Sequence, residues 1–173
     1  PGAYLVSLNG KTEGEGGGST PGGEEKPGEG NTVVMSDAYS SCTEGSVEAG
    51  TITFGDATIT FEKNDGNNAP MYYWNKTEAF RSVRMYAKNS MEMTATKNIA
   101  KVVINCAAPY SGTNYNGNDQ MTTTAGTISK SADKLSVTID GINSKSFILA
   151  NEYTATTKGT QLRIVSMTIT YAE

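Results

Sequence analysis

Residues 67–75 read NNAPMYYWN and set three aromatic side chains in a row, Tyr72, Tyr73 and Trp74, the last being the only tryptophan of the chain. Aromatic faces stack on the apolar C–H faces of pyranose rings, and a phenol or indole can hydrogen-bond the sugar hydroxyls. Such a run suits a sugar platform. It suits the core of a β-domain equally, because Tyr and Trp are ordinary half-buried strand residues. In an extended chain, neighbouring side chains take opposite faces, so Met71 and Tyr73 share one side and Tyr72 and Trp74 the other. The expectation is that Tyr73 turns inward and that Tyr72 and Trp74 form the outward pair.

Other polar groups could complete such a site. In SVRMYA (82–87), Val83 and Met85 take one face while Arg84 and Tyr86 take the other, with Arg81 nearby in sequence. A guanidinium offers a planar fork of donors to vicinal hydroxyls or to a carboxylate. Its structural alternatives are stacking on a tyrosine or an ion pair with Glu62 or Asp56. The stretch PYSGTNYNGNDQ (109–120) supplies Tyr110, Tyr115 and Asn116 on a long loop. Its hydroxyl and amide groups suit a ligand, and its composition equally suits a plain crossover.

NDGNN (64–68) presents oxygen ligands of the kind Ca²⁺ takes, on Asn64, Asp65, Asn67 and Asn68. It lacks the acidic count and the distant glutamate of an EF-hand loop, and Asn-Asp-Gly turn chemistry explains it without an ion. No cofactor or metal is assigned, with Ca²⁺ at this loop as the one alternative.

Composition removes several classes of chemistry. The 173 residues include no histidine, which eliminates Ser-His-Asp and Cys-His nucleophilic schemes and histidine-ligated zinc. Cys42 and Cys106 lie 64 positions apart without CxxC spacing, so zinc is not indicated, and a disulfide and two separate thiols both remain open. A glycosidase needs two carboxyl groups across the scissile bond. Asp37, Asp56, Glu62, Glu78, Glu92, Asp119 and Asp140 are at hand, but none sits in a recognisable signature. A noncatalytic protein is expected. Neither a basic face for nucleic acid nor a polybasic run for anionic lipid is present, and no stretch is long and apolar enough to span a membrane.

The elements that must position these residues are short and β-rich. Residues 1–9, around AYLVSLNG, read as the remnant strand of an upstream domain of the same polypeptide, or equally as an extra strand packed onto the main domain. Residues 10–31 read as a flexible linker: nine of the 21 positions from Gly10 to Gly30 are glycine, and five glutamates there outweigh two lysines. Such a segment has no apolar surface to offset the entropy of ordering, and spans roughly 25 Å root-mean-square as a coil.

From residue 32 onward, alternating runs dominate. TITFGDATITFEK carries a Gly55-Asp56 turn, followed by SVRMYA, SMEMTAT and the more apolar IAKVVIN. KLSVTID and SFILAN are separated by a Gly-Ile-Asn-Ser turn. In the final QLRIVSMTITYA the apolar phase slips by one between Ile164 and Val165, the mark of a β-bulge. One helical turn is expected around DAYSSC (37–42). Many short strands, with long gaps such as 106–120, predict an antiparallel β-sandwich of the jelly-roll or Greek-key type over residues 32–173.

The run ITFGDATITFEKNDGNNAPMYYWNKTEAFRSVRMYAKNSMEMTATKNIAKVVINC, with the ending GTQLRIVSMTITYAE, resembles a β-sandwich module of Bacteroidetes cell-surface lipoproteins. These modules show a "TFxK…AP.YY…VR.Y..N" course and close on a "GQLRI.SI.V.Y" strand. They often follow a Gly/Pro/Glu-rich linker and an OB-like or immunoglobulin-like domain. The resemblance covers about residues 32–173. It implies a secreted, outer-membrane-anchored, galactose-binding-like jelly roll for glycan binding or cell adhesion. Its partners would be cell-surface or dietary or host glycans. The alternatives are a structural spacer with no ligand of its own and, more remotely, a glycan hydrolase fragment.

Overall fold

In a computed structural model of the chain, residues 31–173 are described, Thr156 excepted. The strand expected at 1–9 and the linker expected at 10–31 lie outside the described residues, save Asn31, which opens the first strand.

In chain order the strands are β1 (Asn31–Val34), β2 (Ser46–Glu48), β3 (Thr51–Phe54), β4 (Ala57–Glu62), β5 (Met71–Tyr73) and β6 (Ser82–Met85). They continue with β7 (Ser90–Cys106), β8 (Met121–Thr123), β9 (Thr127–Lys130), β10 (Ser136–Asn151) and β11 (Leu162–Tyr171). A single helical turn, α1 (Met35–Ala38), follows β1, slightly ahead of the DAYSSC position, and a 3-10 turn spans Glu78–Phe80. Every pairing between these strands is antiparallel. The protein is an all-β sandwich made from one continuous antiparallel sheet of 11 strands.

Continuity across the two layers comes from β7 and β10, which are 17 and 16 residues long. Both change phase midway. Met91 and Met93 are buried in β7, then Ile99, then Val102 and Ile104; in β10 the buried set runs Val137, Ile139, Ile142, Phe147 and Leu149. The two irregularities face each other, since the register between the strands shifts around Asp140, Ser144 and Ser146. The strands therefore bend together and stay hydrogen-bonded through the bend. One layer is β3–β4, the first half of β7, the second half of β10, and β8. The other is β2–β5–β6–β11, the second half of β7, the first half of β10, and β9, with β1 flanking β11. Their inward side chains meet in a single apolar cluster that includes Ile59, Met93 and Leu149 with Val83, Ile104 and Met167.

The bends explain one difference from the sequence reading. SMEMTAT and IAKVVIN are one strand, as are KLSVTID and SFILAN. Gly141 and Asn143, both at positive φ, sit in a bulge of β10 rather than in a turn between two strands. The phase slip in β11 is a bulge as read: Ile164 faces Cys106 and Ser166 faces Asn105, leaving Val165 unmatched. Gly55-Asp56 closes the β3–β4 hairpin, with the positive φ of Gly55 at the first turn position.

The aromatic run is oriented opposite to expectation. Tyr72, expected outward, is 1% exposed. It pairs with Val47 of β2 and Val83 of β6, and directly paired cross-strand residues share a face. Val83 must point inward to keep β6 amphipathic, so Tyr72 follows it and Tyr73 turns outward. The ring of Tyr39, just past α1, stacks on Tyr72 at 4.6 Å and 12°, and its Oη donates to the Ala49 carbonyl at 2.8 Å.

Cys42 and Cys106 are free thiols, and burial pushes the Cys106 thiol up to about 12. No helix among the described residues is long and apolar enough to cross a membrane.

Tyr72→Ala is expected to destabilise by about 3–5 kcal/mol, the range for truncating a large buried aromatic. Tyr73→Ala should cost less, about 1–2 kcal/mol for the lost hydrogen bond from Tyr86 and the lost contact with Arg84. Urea unfolding of the two variants checks this assignment of faces.

Candidate functional site

Two strands create the site. β6 and β11 pair so that Leu162 faces Met85, Arg163 faces Arg84 and Ile164 faces Val83. Leu162, Ile164, Val83 and Met85 are wholly buried, so the alternation sends both arginines to the other face, side by side. On the far side of β6, β5 brings Tyr73 to the same surface opposite Ser82. The Arg84 guanidinium lies over the Tyr73 ring at 3.6 Å, and Tyr86 Oη donates to Tyr73 Oη at 3.1 Å.

The crossover between β7 and β8 supplies the facing wall. Asn116, 2% exposed, donates from Nδ2 to the Ala107 carbonyl at 2.8 Å and accepts from the Arg163 backbone N–H at 3.1 Å. Residues 115–117 then run parallel to the start of β11, through an Asn116–Gln161 bridge and a Gly117 N–H donation to the Gln161 carbonyl. Gly117 is required there, since a Cβ would lie 2.3 Å from the Gly159 carbonyl oxygen. This seating lays the Tyr115 ring against the Arg163 guanidinium at 3.9 Å, while Arg163 Nε donates to Gln161 Oε1 at 2.8 Å. Further out, Tyr110 meets Phe80 of the 3-10 turn edge-to-face at 5.4 Å. That turn is pinned by Arg81, whose Nε donates to the Asn75 carbonyl at 2.6 Å and whose guanidinium lies 5.3 Å from the Trp74 ring.

These parts enclose a cleft of about 490 Å³, within the usual range for ligand sites. Arg84 and Arg163 line it together with Tyr86 and Tyr115. Phe80 and the 49%-exposed Tyr110 line its outer part, and Asn75 and Gln161 add amide groups. Arg163 is only 8% exposed; its burial, and next the neighbouring Arg84, lower its pKa to about 10, so it stays cationic at neutral pH. Burial, reinforced by the hydrogen bond to Tyr73, pushes the Tyr86 phenol up to about 12 and keeps it neutral. Among the described residues neither Arg84 nor Arg163 has a carboxylate within ion-pair distance, and Arg84 Nε is buried without a hydrogen-bond partner.

Of the residues singled out in the sequence, Arg84, Tyr86, Tyr110 and Tyr115 are brought together here. Three are not. Tyr72 lies in the core. Asn116 is consumed by backbone contacts and acts as the anchor of the loop. Trp74 is half-buried against the core beneath Arg81 and does not line the cleft. The sequence reading passed over Asn75, Phe80, Gln161 and Arg163. The alternation of Leu162 and Ile164 already marked Arg163 as outward; only the pairing of β11 with β6 sets it opposite Arg84.

The NDGNN loop is engaged elsewhere. Asn64 Nδ2 donates to Ser90 Oγ at 2.8 Å, and buried Asn89 donates to the carbonyls of Lys63 and Asn68 at 3.1 and 2.9 Å. Among the described residues no group of three or more Asp, Glu, Cys or His could hold a metal ion. No family model matches the chain, and no curated protein matches it.

Two predictions follow from the charges. Arg84→Met keeps the aliphatic stem but removes an unpartnered buried N–H and a like charge opposite Arg163, so stability should rise by roughly 0.5–1 kcal/mol in chemical unfolding. At the far end of the loop, Lys134 and Lys130 (the latter at 2.9 Å) hold the Asp119 carboxyl below its ordinary value of 3.8. A depressed carboxyl stabilises the fold above its ordinary pKa and loses that contribution as pH falls through the folded value. Asp119→Asn should therefore cost about 0.5–1 kcal/mol at neutral pH, the deficit closing in acid below pH 3.8, as read by thermal unfolding across pH.

Proposed function

We propose that the chain is a noncatalytic extracellular module for glycan binding or adhesion at a bacterial surface. The observation that carries this reading is the cleft between the β6–β11 face and the 109–120 loop. Tyr86, Tyr115, Phe80 and Tyr110 offer aromatic surface, and arginine and amide groups stand between them to take hydroxyls. Stacking supplies affinity for the apolar face of a sugar, and the polar groups fix its orientation. No Asp or Glu is among the lining residues described, so these walls lack the carboxyl pair that glycoside hydrolysis uses. Placement at the outer membrane rests on the resemblance to surface-lipoprotein modules.

A glycan array spanning plant, mucin and capsular polysaccharides, followed by calorimetric titration of the hits, tests the proposal. Binding is expected, with Tyr115→Ala weakening it about tenfold, the equivalent of roughly 1.4 kcal/mol, and Trp74→Phe leaving it unchanged. Silence across the array would sink the glycan reading and leave a structural spacer.

A further inference from the structure

We infer that the glycan taken by this cleft is acidic, with Arg84 and Arg163 receiving its carboxylate or sulfate group. This rests on the glycan reading above and adds the charge of the ligand.

Arg84 and Arg163 are directly opposed on adjacent antiparallel strands and project on one face, an arrangement in which like charges repel. A sheet stabilised for its own sake places an opposite or neutral group at one of the two positions. The groups set against them are neutral: Tyr73 of β5, Tyr86 just past β6, Tyr115 of the crossover loop and Gln161 just before β11, while Glu78 of the bordering 3-10 turn pairs with Arg81 at 3.8 Å and with neither of the two. The two cations thus share a partly buried recess without a counter-charge among the described residues.

Their orientation is set in advance. Each guanidinium lies with its carbon over a tyrosine ring, Arg84 at 3.6 Å and Arg163 at 3.9 Å. Stacking occupies the face of a guanidinium and leaves its edge, where the N–H fork lies, for a planar pair of oxygens. Arg84 Nε is buried and unpartnered, as for a donor awaiting an acceptor. Arg163 spends Nε on Gln161 and is held rigidly by it. An anionic oxygen pair bound between the two would cancel the repulsion and satisfy the open donor together. A neutral sugar could do only the second. Nucleic acid is disfavoured as the source of the anion, because the chain as a whole carries a net charge of −4.

The test uses matched pairs in calorimetric and NMR titrations of the intact chain. The pairs are glucuronate and glucose, galacturonate oligomers and their methyl esters, glucose 6-sulfate and glucose, and sialyllactose and lactose. At least one acidic member is expected to bind ten-fold or more tightly than its neutral counterpart, to weaken as sodium chloride is raised from 50 to 500 mM, and to shift the Arg84 Nε–Hε resonance. The pair that responds separates a carboxylate source from a sulfate source. Arg84→Gln and Arg163→Gln should each abolish the preference, and Arg84→Lys, which keeps charge but not the fork, should restore only part of it; unfolding curves of the variants confirm that they fold. Equal binding of acidic and neutral members overturns the acidic-ligand inference while the glycan reading stands. Binding of inorganic sulfate without any sugar preference overturns the glycan reading and leaves an anion cradle. No response to any probe overturns both.

Discussion

The joint bending of β7 and β10 is the constraint from which the rest of this fold follows. Two strands of such length cannot lie in one layer of a small sandwich, and breaking them would orphan backbone donors and acceptors in the interior. Bulging both at the same level keeps them hydrogen-bonded while the pair passes from one layer to the other. Each strand's change of apolar phase is the side-chain counterpart of that bend, returning the buried set to the inside after the crossing. The second half of β7 then provides the edge on which β11 forms, and β11 provides the edge for β6 and β1.

The site shows a division of labour between packing and chemistry. Asn116, Gly117 and Arg81 hold segments in place, by backbone contacts or by close approach, and contribute little surface to the cleft. Tyr115, Tyr110, Phe80 and the two arginines provide that surface. Such a separation is what a binding site on loops needs, because a loop positioned only by its own ligand contacts would forfeit affinity to ordering entropy. The arginines are the least explicable by stability alone: they face each other, one is mostly buried, and what surrounds them is aromatic rather than acidic.

Much of this was legible in the residues, and the failures share a cause. Period-two alternation correctly separated Val83 and Met85 from Arg84 and Tyr86, and Leu162 and Ile164 from Arg163, because amphipathic strands announce their faces. For MYYW the alternation was equally clear, but the choice of face was wrong. Both candidate faces carry an aromatic, so local pattern has no preference; the pairing of Tyr72 with Val83 decided it. SMEMTAT and IAKVVIN, divided at Lys97-Asn98, and KLSVTID and SFILAN, divided at Gly141–Ser144, read as separate strands because a bulge and a turn carry the same signature of turn-forming residues and broken phase. They differ only in whether the partner strand bends too. Asn116 looked like a ligand donor because an exposed amide and a buried one are spelled identically.

By itself, the sequence determined the all-β class, the faces of most strands, the bulge at Val165 and the exclusion of histidine chemistry, since each depends on residue type and local periodicity. Tertiary structure alone decided that Tyr72 is core and Tyr73 is not, that β11 lies against β6, and that Arg84, Arg163, Tyr86 and Tyr115 converge. The physical reason is that register between strands distant in the chain is set by cooperative burial of the whole core, a quantity that no single stretch of residues carries.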